Sequence, residues 1–269
     1  PSPNVRAVPF PETDRPLKGL SGAALADALA DEVKNAIDDF ADKGIKLAGM
    51  LICPIYANEG LPNIPPGYLE KAVRYVREAG GLFIVDEVQA GFGRTGRMWG
   101  YQIEGIVPDI VTMGKPMGNG IPLAGIVARG DLLTDFQSQT FYFNTFGGNP
   151  VQCAAGMAVL EVIEQENLLE NAKKTGGYIR EGLKKLQSKY ERIGDVRGHG
   201  LFLGAEWVED PKTKEPDVAG AFRIVNRMKD HGVLISNAGA FNNVLKMRPP
   251  LPFGIEHADL LLTTLDEVL

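Results

Sequence analysis

Little in this sequence points toward a metal, a membrane or a nucleic acid. Cysteine occurs only twice in 269 residues and histidine only three times. Cys53 and Cys153 lie far apart, each inside an apolar stretch, and read as packed thiols, with neither a disulfide framework nor a zinc site supported. His199, His231 and His257 lack the i, i+4 spacing that sets two imidazoles on one helical face, so no metal is expected. No apolar run approaches the roughly 20 residues of a bilayer span. The opening PSPNVRAVPFPETDRP has no hydrophobic signal segment, and the cytoplasm is the expected location. Basic residues are scattered and the net charge is -6, which argues against nucleic acid or an anionic membrane surface as partner.

What is present is an ordinary globular composition, 44% hydrophobic and 23% charged, enough for one extended core or two unequal domains. Leu25, Leu29, Val33, Ile37 and Phe40 recur every three or four residues, with Gly44 as a stop, and predict an amphipathic helix. Leu69, Val73 and Val76, closed by Gly80, predict a second one. Between and after them KLAGMLICPIY, LFIVD, DIVTMGK and PLAGIVARG read as short strands, LFIVD as one buried on both faces. Alternating strands and helices predict an α/β fold with a mostly parallel sheet. Asn149 and Pro150 start a helix running to about residue 172. From about Lys174 the pattern changes to a helix through Tyr190, the strand-like GLFLGAEWV, a helix to about Asp230, strands VLIS and NVLKMR, and a last helix. The expected division is residues 1–173 and a smaller C-terminal α+β domain at 174–269.

The stretch LFIVDEVQAGFGRTG, residues 82–96, concentrates the functional signal. Its Asp-Glu pair could belong to a nucleotide-binding strand, but the required G-x-x-x-x-G-K-[ST] loop is missing: Gly114-Lys115 is followed by Pro116. The glycines of GFGRTG do not open a helix as a dinucleotide fingerprint must, because RMWGYQIEGIVPD carries Gly and Pro in the wrong places. A kinase loop would need Val where Met98 stands. A different pairing is more informative. Asp86 ends one buried run and Lys115 ends another, so a parallel sheet brings both to its carboxyl edge, where α/β folds bind ligands. On spacing alone a plain buried ion pair, or a solvated loop lysine, accounts for these two residues better than a ligand site does. Pyridoxal phosphate chemistry uses these two groups together: a lysine amine for the Schiff base and an acid that keeps the pyridine nitrogen protonated.

The segments EVQAGFGRTG after an Asp, PDIVTMGKPMGNGIPLAG, FNTFGGNPVQCAAG and GDVRGHGLFLGAE resemble, in order and over nearly the whole chain, the signatures of the class III, or omega, aminotransferases of fold type I. The likeness is strongest to the branch of alanine:glyoxylate aminotransferase-like enzymes and of phospho-lyases acting on phosphoethanolamine or phosphohydroxylysine. It implies a partial fold type I large domain followed by the small domain, pyridoxal 5'-phosphate as cofactor, an amine or amino acid and a keto acid as substrates, and a homodimer with a shared active site. By the same resemblance Lys115 carries the Schiff base and Asp86 partners the pyridine nitrogen. Val88 packs on the ring, Gln89 approaches its phenolic oxygen, and Thr145 reaches the phosphate of the neighbouring subunit's cofactor.

Three departures from the family pattern matter. The family's N-terminal half, with its glycine-rich phosphate loop, is not in this chain, which opens without Met at what corresponds to mid-protein and reads as a fragment. Cys53-Pro54 stands where many members have Glu-Pro. Lys246 replaces the carboxylate-binding arginine three residues before the Pro-Pro pair, with Arg248 two residues on and, by strand periodicity, on the same face. Two cations suit an anionic substrate group, although a lysine does not fork onto a carboxylate as arginine does. The reading is an aminotransferase. The alternatives are a phospho-lyase eliminating phosphate from a phosphorylated amino alcohol or amino acid, and a catalytically incompetent chain acting only in dimerisation or regulation.

Overall fold

The computed structural model describes residues 2–269. Helix α1 (Gly22–Asp42) buries Leu25, Leu29, Val33 and Phe40, the apolar stripe its spacing predicts. Strand β1 (Gly49–Ile52), helix α2 (Tyr68–Glu78), strand β2 (Leu82–Asp86), strand β3 (Ile110–Met113) and strand β4 (Gly125–Ala128) follow. The sheet order is β1-β2-β3-β4, with β1, β2 and β3 parallel and β4 antiparallel to β3. α1 and α2 cover one face, and Phe83 and Val85 are sealed beneath them. Leu82, Ile84 and Asp86 point to the other face and are only half-buried. The expectation of a strand buried on both faces is therefore corrected: among the described residues helices cover one side only, and side chains alternate with a period of two.

Helix α3 (Gly130–Gln139) precedes helix α4 (Pro150–Gln165), which Asn149 caps by accepting Val151 N–H at 3.0 Å. Cys153 was expected to be packed; it is exposed, because α4 buries only Ile163 and leaves its other apolar side chains, such as Val151 and Met157, uncovered. The helix expected to run from Asn149 to about residue 172 ends at Gln165, and the chain turns at Asn167, in the left-handed region at φ 52°, which asparagine tolerates well. From there helix α5 (Leu168–Lys189) runs unbroken through the expected 173/174 boundary.

The second sheet contains strands β5 (Ile193–His199), β6 (Phe202–Asp210), β7 (Glu215–Pro216), β8 (Ser236–Ala238) and β9 (Val244–Met247), in the order β5-β6-β9-β8 with β7 on β6. α5, helix α6 (Val218–Asp230) and helix α7 (Ile255–Val268) pack on it around Ile179, Leu183, Leu203, Met228, Leu245 and Leu265. The strand expected at VLIS begins only at Ser236, since Val233 N–H still returns to Met228 O at 2.9 Å as the chain leaves α6.

The two sheets are joined where the GFGRTG loop meets the β5–β6 turn. Leu201 N–H donates to Arg94 O at 3.0 Å. A Cβ on Gly200 would lie 2.4 Å from Thr95 C, and one on Gly176 of α5 would lie 2.0 Å from Gly200 O. Three backbone segments thus meet at a closeness that only glycine permits.

Candidate active site

Parallel register sets Asp86 opposite Thr112, so β2 and β3 deliver their carboxyl ends to one edge and Lys115 follows three residues beyond. Gly114 is extended and Lys115 turns into the left-handed region at φ 42° before a short 3-10 turn, Lys115–Gly118. This conformation costs a non-glycine residue energy and marks functional positions more often than ordinary turns. The Lys115 side chain is exposed, and among the described residues its amine has no bonded partner. Asp86 is half-buried, with Oδ1 accepting Val88 N–H at 2.9 Å. Val88 lies beside the strand end that carries Lys115, its Cγ2 being 3.7 Å from where a Cβ on Gly114 would sit.

Glu87 points the other way. It is fully buried and accepts Gly100 N–H at 2.8 Å and Tyr101 N–H at 2.9 Å, which anchors the short turn Gly100–Gln102; burial pushes its carboxyl up despite these donors. Of the two adjacent carboxylates, one therefore faces the sheet edge and the other fastens the loop behind it.

Gln89 joins three segments: its Nε2 donates to Asn58 Oδ1 at 3.1 Å and its Oε1 accepts from Arg248 Nη1 at 2.8 Å. The exit of β9 thus reaches the loop after β2. Lys246 Nζ and the Arg248 guanidinium both stand over the Phe202 ring, at 5.4 and 5.6 Å from its centroid. Burial and then Arg248 push the Lys246 amine below the ordinary lysine value, and Lys115 acts on it in the same direction, so these cations share one region. No hydrogen bond or salt bridge engages Lys246 among the described residues, whereas nearby Arg94 is taken up by the carbonyls of Leu201 and Pro249. Cys53 is half-buried there, its thiol pushed up by burial.

The structure brings Asp86, Val88, Gln89, Lys115, Lys246 and Arg248 to one edge. Thr145 lies on the exposed segment between α3 and α4, and no hydrogen bond joins it to the others among the described residues. Asn58 and Phe202 were not anticipated: Asn58 sits in a Gly/Pro-rich loop with no periodic signal, and Phe202 reads only as the start of a strand. The donor set fits pyridoxal phosphate by its chemistry, with an unbonded lysine amine for the aldehyde, a carboxylate for a ring nitrogen and an amide for a phenolic oxygen. A Lys115 amine already engaged in an ion pair would not fit.

The aminotransferase class III profile matches residues 2–269. The chain is 44% identical over 256 residues to alanine--glyoxylate aminotransferase 2 homolog 2, mitochondrial, of Arabidopsis thaliana, covering 95% of this chain and 52% of the relative. It is 41% identical to ethanolamine-phosphate phospho-lyase homolog 1 of Caenorhabditis elegans, covering 89% and 52%. A solved phospholyase from Arthrobacter, in complex with phosphoethanolamine, superposes with a TM-score of 0.92 at 43% identity, covering 98% of this chain and 62% of that one. A thermostable omega transaminase from Pseudomonas jessenii gives 0.92 at 29% identity, covering 100% and 60%. The chain spans about half the length of the curated relatives it matches.

Proposed function

The chain belongs to the aminotransferase class III family, and on that premise we propose that the protein is a pyridoxal-phosphate-dependent aminotransferase acting on an amine or amino acid and a keto acid. The observation that carries the reading is the unbonded Lys115 amine, in a strained backbone position, at the same sheet edge as Asp86. When bound, the cofactor supplies an electron sink for the charge left on the substrate carbon. Lys115 Nζ is the attachment point and, when free, the base that carries a proton. The Asp86 carboxylate holds a proton on the pyridine nitrogen, a charge-assisted hydrogen bond strengthened where water is scarce. Val88 would pack against one face of the ring and Gln89 would bond its phenolic oxygen.

A second subunit completes the site in this reading, with Thr145 turned to the phosphate of the neighbour's cofactor. The large exposed apolar side chains of Phe141, Tyr142, Phe143 and Phe146 on the same segment support it, since monomers rarely leave such a cluster in water.

A phospho-lyase is the second reading, favoured by one observation: Lys246 is an unpaired cation where the family's pattern has an arginine, suited to a compact phosphate more than to a bidentate carboxylate. Borohydride reduction of the full-length protein followed by peptide mapping tests the cofactor's position, and a label on any lysine but Lys115 defeats the assignment. Phosphate release from phosphoethanolamine without a keto acid separates the lyase from amino transfer.

A further inference from the structure

Strand periodicity pairs Arg248 with Lys246 as a cation for the substrate, but its hydrogen bonding assigns it elsewhere. A guanidinium only donates, so the Gln89 atom it meets at 2.8 Å is an acceptor and is identified as Oε1. The amide NH2 is then forced to the opposite end, where Asn58 Oδ1 takes one of its hydrogens at 3.1 Å. The Asn58 backbone is itself held: Gly239 N–H donates to its main-chain carbonyl at 3.0 Å. One N–H of Gln89 is left over. Arg248 is kept over Phe202 while it does this, and Lys246 on the same ring is left without a hydrogen-bond partner among the described residues.

We propose that Arg248 is a positioning residue which, by donating to Oε1, locks the Gln89 amide with its NH2 available to the cofactor's phenolic oxygen, and that Lys246 alone is left as the cation for the substrate. The proposal rests on the reading that Gln89 faces the cofactor. Without the arginine the amide is free to flip, and an oxygen facing the phenolate repels it where an N–H stabilises it. The lock also ties β9 of the second sheet to the loop after β2, so a shift of one sheet against the other releases Gln89.

The test uses the full-length, cofactor-loaded enzyme and the pH midpoint of its visible absorbance. Arg248→Met raises that midpoint by ~1 pH unit, about the effect of one hydrogen bond to a charged group. Arg248→Lys, still a donor, restores most of it. In a Gln89→Leu background Arg248→Met moves the midpoint no further. An equal shift in both backgrounds overturns the proposal, because the arginine then acts through its charge alone, and so does no shift in either. If no visible band forms with the parent protein, the cofactor reading itself fails. The lock is then decided in the cofactor-free protein by a thermal double-mutant cycle, where additive losses for Arg248→Met and Gln89→Leu overturn it and a coupled loss upholds it.

Discussion

Glu87 and Gly100 are joined by a buried hydrogen bond of 2.8 Å, which commits the second carboxylate of the Asp-Glu pair to structure. Glu87→Ala leaves two N–H groups without an acceptor, the buried one of Gly100 and the partly buried one of Tyr101, and a stability loss of about 2 kcal/mol is expected. Chemical denaturation measures it. Loss below about 0.5 kcal/mol, within the range of ordinary surface changes, would show that the turn does not depend on this side chain.

The close contact between α5 and the β5–β6 turn predicts opposite outcomes for neighbouring glycines. Gly176→Ala drives a methyl to within 2.0 Å of Gly200 O, on a turn already pressed against Thr95, so nothing there can yield. A loss of roughly 3 kcal/mol or more is expected. Gly177, one residue along the same helix, has open space around it, and Gly177→Ala gains up to about 1 kcal/mol from helix propensity. Equal melting temperatures for the two variants would refute the packing argument.

The sheet edge was legible from strand ends because parallel strands share a direction: once LFIVD and DIVTMGK read as neighbours, Asp86 and Lys115 had to emerge together. β5 escaped notice because Gly194, Gly198 and the charged Asp195 and Arg197 break its apolar pattern. Apart from the local contact between Arg197 and Asp195, those charges are satisfied by distant partners, Arg197 by Gly60 O and Glu206 and Asp195 by Asn63, and such pairing leaves no mark on local sequence. The bond between Arg248 and Gln89 joins residues 159 positions apart and was invisible for the same reason. The exposure of Cys153 depends on what covers α4, which its own apolar composition does not specify.

Acid titration of the N-terminal segment gives a third test. Asp14 and Asp195 reach the same Nη1 of Arg197, at 2.6 and 3.5 Å, and Glu206 takes it at 2.9 Å. Burial, then Asp195, raises the Asp14 carboxyl from 3.8 to about 6. A carboxyl bound more tightly to its proton in the folded state contributes full stability below its unfolded value and loses it as pH rises through the folded one. That loss, on the order of 3 kcal/mol at most, therefore falls between pH 3.8 and about 6. Asp109, Glu206 and Asp217 are held low and act oppositely, weakening as pH falls, so the observable is a difference between proteins. The melting temperature of Asp14→Asn should climb relative to the parent across that window. A constant difference would mean that Asp14 is not protonated there.

Lys246 decides between the two chemistries, because it is the cation of its pair that no bond in the structure claims. Its amine lies half-buried over Phe202, where burial first and then Arg248 and Lys115 push it below the usual lysine value, so an incoming anion relieves repulsion as well as gaining a partner. A charge-assisted hydrogen bond of this kind contributes about 1.5–3 kcal/mol, and Lys246→Ala should therefore raise KM for a phosphorylated amine roughly 10- to 100-fold while leaving an uncharged amine nearly unaffected. In a conventional aminotransferase the fork of an arginine matches a carboxylate better, and Lys246→Arg should sustain or improve turnover of an α-amino acid. Steady-state kinetics on phosphoethanolamine, an uncharged amine and an α-amino acid discriminate these outcomes. An equal KM change for all three in Lys246→Ala would remove Lys246 from substrate recognition, because a cation that binds an anion cannot treat charged and neutral ligands alike.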